Sequence, residues 1–132
     1  MEEPRWLKEN VVAAIHQRQL AEHGGLDGVR DPGMLSSALA RPRNTFAYTQ
    51  PKPDLATLAA DYAFGVIKNH PFIDGNKRTC FMAAYTFLGK HQWELVASEP
   101  DAALETLRLA ANDCSETEYA AWLKRNCRKV AR

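Results

Sequence analysis

The chain has too few cysteines, and too poorly spaced, for either structural device that cysteine usually supplies. Cys80, Cys114 and Cys127 are odd in number and form no Cys-x-x-Cys pair, which argues against a disulfide framework and a zinc site and leaves three reduced thiols. Charge of one sign is also missing. Seventeen lysines and arginines face sixteen aspartates and glutamates, for a net charge of +1, so no overall field draws the chain to nucleic acid or to a membrane surface. The opening MEEPRWLKEN carries acid where a secretory leader carries lysine or arginine ahead of an apolar run, and no stretch approaches membrane-spanning length. A cytoplasmic protein is expected. There is no internal repeat, no Gly-x-Gly-x-x-Gly and no ordinary protein-kinase signature, and Gly89-Lys90 is followed by histidine rather than by the serine or threonine of a phosphate loop.

What is present is enough for one core. Nearly half of the 132 residues are apolar, so the chain reads as a single domain over 1–132 that needs no staples. Leu7, Val11 and Ile15 recur at helical spacing before Gly24-Gly25, and Asp31-Pro32 starts a second helix that runs to about Ala40. Three prolines between Arg41 and Pro53 exclude a single helix there. Helical period returns from Asp54 to Asn69, with Leu55, Leu58, Ala59, Tyr62, Val66 and Ile67 inward. The segment TCFMAAYTFLGK is apolar on almost every face, as a helix enclosed by protein would be. Beyond Gly89 an extended piece is expected at Glu94–Ser98, then a helix over Asp101–Ala111 with Leu104 and Leu107 inward. A last helix over Ser115–Arg128 has Tyr119, Trp122 and Leu123 inward. The basic end, KRNCRKVAR, suits a helix C-terminus and falls short of a nucleic-acid face.

The chemistry concentrates in HPFIDGNKRT, from His70 to Thr79. Pro71 pushes His70 out of helical geometry, and Asp74-Gly75-Asn76 is a turn suited to starting another helix. The free N–H groups of that helix, together with its dipole, favour an anion, and Lys77 and Arg78 add full charge. His70 can act as a general base near neutral pH, and Asp74 can hold a hard divalent cation bridging phosphate oxygens. Singly, each of these residues is commonplace. Their fixed order is not.

The segment resembles the signature of the Fic/Doc superfamily, whose wider form is His-x-Phe-x-(Asp/Glu)-Gly-Asn-Gly-Arg. Lys77 stands where that form has its second glycine, as in the Doc (death-on-curing) branch, and His70, Phe72, Asp74, Gly75, Asn76, Arg78 and Thr79 also match. The upstream HGGLDGVRDPGMLSSALARPRNTFAY, His23 to Tyr48, resembles the corresponding region of Doc-type toxins. The resemblance implies an all-α, compact helical bundle with a central buried helix after the motif loop at 70–79, and a substrate-contacting flap at about 41–53.

It also implies a toxin of a type II toxin–antitoxin module that moves the γ-phosphate of ATP to a threonine of elongation factor Tu, with Mg2+, and so arrests translation. His70 would be the base and Asp74 the magnesium ligand. Gly75 and Asn76 through their backbone, and Lys77 and Arg78 through their side chains, would clamp phosphate. Lys77 narrows the path past the loop, which favours the γ- over the α-phosphate beside His70. Three rivals stay open: a Fic-type adenylyltransferase, a catalytically idle antitoxin-binding homologue, and an RNA-cleaving toxin. The inhibitory (Ser/Thr)-x-x-x-Glu-(Gly/Asn) helix of autoinhibited Fic proteins has no counterpart here. A separate antitoxin is therefore the expected regulator, its tail folding onto this chain as a helix.

Overall fold

The computed structural model describes residues 2–130. Its elements run α1 (Glu9–His23), α2 (Pro32–Tyr48), α3 (Leu55–Asn69), α4 (Asn76–Lys90), β1 (Trp93–Leu95), α5 (Glu99–Ala110), α6 (Glu116–Arg125) and β2 (Cys127–Lys129). The class is all-α, as expected. Among the described residues no helix is long and apolar enough to cross a membrane.

Side-chain caps start most of the helices. Asp31 accepts from the Met34 N–H ahead of Pro32, Asp54 from Thr57, and Ser98 from Asp101; Ser115 and Glu118 form a reciprocal capping box. Each such cap is worth about 1 kcal/mol. α3 is the most enclosed element, with Leu58, Ala59, Tyr62, Ala63 and Val66 all fully buried, and it packs against α2, α4 and α6. α4 is buried along Thr79, Cys80, Ala83, Ala84, Phe87 and Leu88. Its other side is open: Phe81, Met82 and Tyr85 line a groove, so the expected enclosure holds for one face only.

The structure corrects the sequence reading in several places. α2 does not stop near Ala40 but continues through Pro42 to Tyr48. Proline inside a helix removes the bond to the carbonyl four residues back, here that of Ala38. That carbonyl lies against α3 at Gly65, where an added Cβ would sit only 3.0 Å from it. Gly65, having no side chain, leaves the room beside that carbonyl that any larger residue would crowd. The helix α5 is turned relative to expectation: Leu104 and Leu107 are 55% and 49% exposed, whereas Ala102, Thr106 and Leu109 are buried. Thr106 can take an inner place because its hydroxyl donates to the Ala102 carbonyl at 2.9 Å and meets the Tyr119 hydroxyl at 3.3 Å. α6 ends at Arg125, not Arg128, because residues 127–129 leave it to pair antiparallel with β1, in the register Trp93 with Lys129 and Leu95 with Cys127.

A charged cluster ties α2, α3 and α6 together. Arg41 binds Glu116 through both Nε and Nη2, at 3.3 and 2.5 Å, and its Nε lies 3.5 Å from Asp61 Oδ1. Asp61 is 4% exposed, and its Oδ2 has no donor among the described residues. Burial, then the neighbouring Glu116, favours a proton on the Asp61 carboxyl and holds that carboxyl up at about 8. Burial also penalises Glu116, but its bonds to Asp61 and Arg41 outweigh that and keep it below the ordinary glutamate value.

Between the ordinary aspartate value of 3.8 and about 8, the folded chain keeps a proton that the unfolded chain has released. Stability must fall as pH rises through that window. The expected thermal midpoint of the wild type drops from about pH 5 to pH 8, with one linked proton setting a ceiling of about 1.4 kcal/mol per pH unit. Asp61→Asn, measured in the same scan, should flatten the slope.

Candidate active site

α3 and α4 meet end to end at the motif loop. His70 caps α3 in the left-handed region, with φ 48° and ψ 55°, and its N–H donates to the Val66 carbonyl at 3.1 Å. Pro71 forbids a further helical turn. The chain then dips inward at Phe72, 1% exposed, and rises through Asp74 to Gly75, whose φ of +80° starts α4.

The loop is held from inside and from one flank. Asn76, 4% exposed, accepts from the Phe72 N–H through Oδ1 at 3.1 Å and donates from Nδ2 to the Phe72 carbonyl at 2.9 Å. Its second Nδ2 hydrogen reaches His70 Nδ1 at 3.1 Å. Beneath, the His16 ring of α1 stacks on Phe72, centroids 3.9 Å apart and 9° from parallel, and Nε2 meets the Asp74 carbonyl at 2.8 Å. Along the flank runs the 24–31 connection. Arg30 donates from Nε to the His70 carbonyl at 2.7 Å and from Nη2 to that of Asn69 at 2.8 Å. The backbone N–H groups of Arg30 and Asp31 both reach the Pro71 carbonyl, and Ile73 donates back to Gly28. The element beside the motif is thus 24–31; the expected flap at 41–53 is helical as far as Tyr48 and contributes nothing to the groove lining.

The Asp74 carboxylate accepts from the Leu26 N–H at 3.2 Å and the Gly75 N–H at 2.8 Å. These bonds, Leu26 first, hold it below the ordinary aspartate range, so it is an anion at neutral pH. Each oxygen keeps a lone pair free. A magnesium ion is commonly bound through one or two carboxylates together with substrate phosphates, and one exposed, ionised carboxylate beside free helix N–H groups fits that pattern. Among the described residues no cluster of three or more acidic, histidine or cysteine side chains could hold a metal alone.

All six residues singled out in the sequence, His70, Asp74, Gly75, Asn76, Lys77 and Arg78, border one groove of about 860 Å³. Lys77 and Arg78 project from the first turn of α4 and are exposed. The far end of the groove is apolar, with Phe81, Met82, Tyr85, Leu95 and Leu107. The role expected of Asn76 needs enlarging, because its side chain is the internal tie of the loop. The sequence reads His16 as an ordinary helix residue and gives no role to Gln19 or Arg30. His16 and Gln19 sit with Val12 on the buried face of α1, and two polar residues three apart on an inward face were the available signal. The thiols offer no rival nucleophile: burial lifts Cys80 to about 12 and Cys127 to about 11.

Replacing Asn76 by Ala leaves both polar groups of Phe72 without their partner. The expected cost is about 2–3 kcal/mol, with hydrogen exchange rising at Phe72 and its neighbours well before the amides of α3; unchanged exchange across 70–76 would show that the loop does not depend on this side chain.

Comparison with known proteins agrees with the geometry. The sequence model of the Fic/DOC family matches residues 6–88, a span that includes α1, the 24–31 connection and the whole motif loop. The "Protein kinase doc" of Escherichia phage P1 is 30% identical over 121 residues, covering 92% of this chain and 94% of that protein. "Toxin Doc" of Mycolicibacterium smegmatis is 38% identical over 102 residues, 76% of this chain and 78% of its own. With the motif assembled around one helix start and the match extending over most of its length, the chain belongs to the Fic/DOC family.

Proposed function

We propose that this protein is a cytoplasmic toxin of a toxin–antitoxin module and a protein kinase that transfers the γ-phosphate of ATP to a threonine hydroxyl of elongation factor Tu. The observation that carries this reading is Lys77, which stands in the first turn of α4 beside Arg78, at the mouth of the groove that His70 borders. A long cation at that position occupies space that a second phosphate would need to thread past the loop. One phosphate is then held deeply, and for attack by a protein hydroxyl the one beside His70 is the terminal one. The names of the relatives, a protein kinase and a toxin, support the same reading.

The parts divide as follows. The N–H groups at the start of α4 and the side chains of Lys77 and Arg78 neutralise phosphate oxygens. Asp74 would hold Mg2+ jointly with the nucleotide, and that ion would supply charge neutralisation across the phosphates. His70 takes the proton of the attacking hydroxyl. Its acceptor lone pair is on Nδ1, currently engaged by Asn76 at 3.1 Å. A contact between neutral groups is worth about 1 kcal/mol net, so an incoming hydroxyl or a turn of the exposed ring frees it at small cost. Such chemistry rests on positioning and charge. Because the cis-inhibitory motif is absent, an antitoxin in trans is the proposed regulator.

The test is a cell extract or purified elongation factor Tu with ATP labelled at one phosphate. Label from the γ position, with the mass gain of one phosphate on a threonine, is expected; label from the α position and the mass of AMP would replace the kinase with an adenylyltransferase. His70→Ala should fold normally, lose about 10²–10⁴-fold in rate and no longer arrest growth. Harmless high-level expression of the folded wild type without a partner would count against a toxin.

A further inference from the structure

His16 lies under the motif loop, 2% exposed, and makes a single polar contact there, between its Nε2 and the Asp74 carbonyl at 2.8 Å. A carbonyl only accepts, so Nε2 carries the proton and donates. In a trans peptide the carbonyl and the following N–H point in opposite directions. With the Asp74 carbonyl drawn inward onto His16, the Gly75 N–H points outward, where Asp74 Oδ1 meets it at 2.8 Å. Gly75, at φ 80° and ψ 13°, has the angles of the third residue of a type II turn. That turn converts to type I by a half-rotation of the peptide before this residue, which here is the Asp74–Gly75 peptide. The rotation would swing the carbonyl oxygen out to the phosphate side and withdraw an N–H.

We infer that His16 is a positioning residue that latches the Asp74–Gly75 peptide with its carbonyl inward, so that no carbonyl acceptor faces the anion at the start of α4 and the Gly75 N–H, held by Asp74 Oδ1 until an anion takes its place, stays on the outer side. The inference rests on the proposed phosphate site. Nothing but His16 receives the Asp74 carbonyl among the described residues. Phe72, stacked on the ring at 3.9 Å, keeps the donor aimed upward. The glycine at 75 is required by its φ of +80° rather than by space, since a Cβ there would be in ordinary contact, 3.5 Å from His16 Cδ2.

The experiment titrates inorganic pyrophosphate into the ¹⁵N-labelled full chain without magnesium and follows the amides of Gly75, Asn76 and Lys77. His16→Phe keeps the stack and the volume but cannot donate, whereas His16→Gln retains an N–H at similar reach. The latch predicts ~10-fold or greater loss of pyrophosphate affinity in His16→Phe and recovery in His16→Gln to within ~3-fold of wild type. A folded His16→Phe that binds like wild type, or a His16→Gln as weak as His16→Phe, overturns the latch and leaves the phosphate site standing. Absence of any shift in the wild type overturns the site and the latch with it. The ring nitrogens of His16 in the wild type give a check that needs no variant: the neutral ring must carry its proton on Nε2, and a proton on Nδ1 overturns the proposal.

Discussion

Two bonds from one buried side chain to both polar groups of a single residue, Asn76 to Phe72, keep the end of one helix and the start of the next in fixed relation. Without them the N–H and carbonyl of Phe72, buried between the two helices, have no partner. With them the segment between His70 and Gly75 is a closed ring of chain with Phe72 pinned in the core, His70 at one rim and the first turn of α4 at the other. The charged groups of the loop are exposed, and the side chains that tie it from beneath are buried. His70, Asp74, Lys77 and Arg78 are exposed, while Phe72, Asn76 and His16 are enclosed.

This division has an energetic logic. Charges left in water cost little to keep, and they regain strength when a ligand closes over them. Buried Asn76 and His16 are acceptable because each has a hydrogen-bond partner, whereas Thr79 Oγ1 has none among the described residues. Arg30 extends the same principle to the flank, satisfying the carbonyls of Asn69 and His70 that the end of α3 leaves open. The other charged network, Arg41 with Asp61 and Glu116, joins α2, α3 and α6 and borders no part of the groove. Burial there raises the Asp61 carboxyl, while the bonds from Asp61 and Arg41 hold Glu116 below the ordinary glutamate value.

The motif was legible because it is local: turn residues, cations and a histidine within one short stretch declare a helix start and an anion, and all six named residues border one groove. Helix starts were legible for the same reason, since Asp31, Asp54 and Ser115 cap their own helices. What depends on a distant partner was not. Pro42 reads as a helix breaker until Gly65 of α3 is seen beside the carbonyl that it frees. Leu104 and Leu107 read as inward until Thr106 finds Tyr119 across the core. His16 looked like an ordinary helix residue, because its partner is a backbone carbonyl 58 residues away. The 24–31 connection was matched as a segment but given no role, because its bonds to 69–74 are mostly made by backbone groups that leave no periodic trace in sequence.

On the proposed function, one anion-binding helix start, narrowed by Lys77, stands at the centre of the protein's activity. The most direct test is an experimental structure of the full chain with Mg2+ and a non-hydrolysable ATP analogue. The account predicts the terminal phosphate seated on the first turn of α4 beside His70, Asp74 on the metal, and the nucleoside directed away from the loop. A nucleotide lying the other way round, with its α-phosphate beside His70 and Lys77 swung aside, would contradict it.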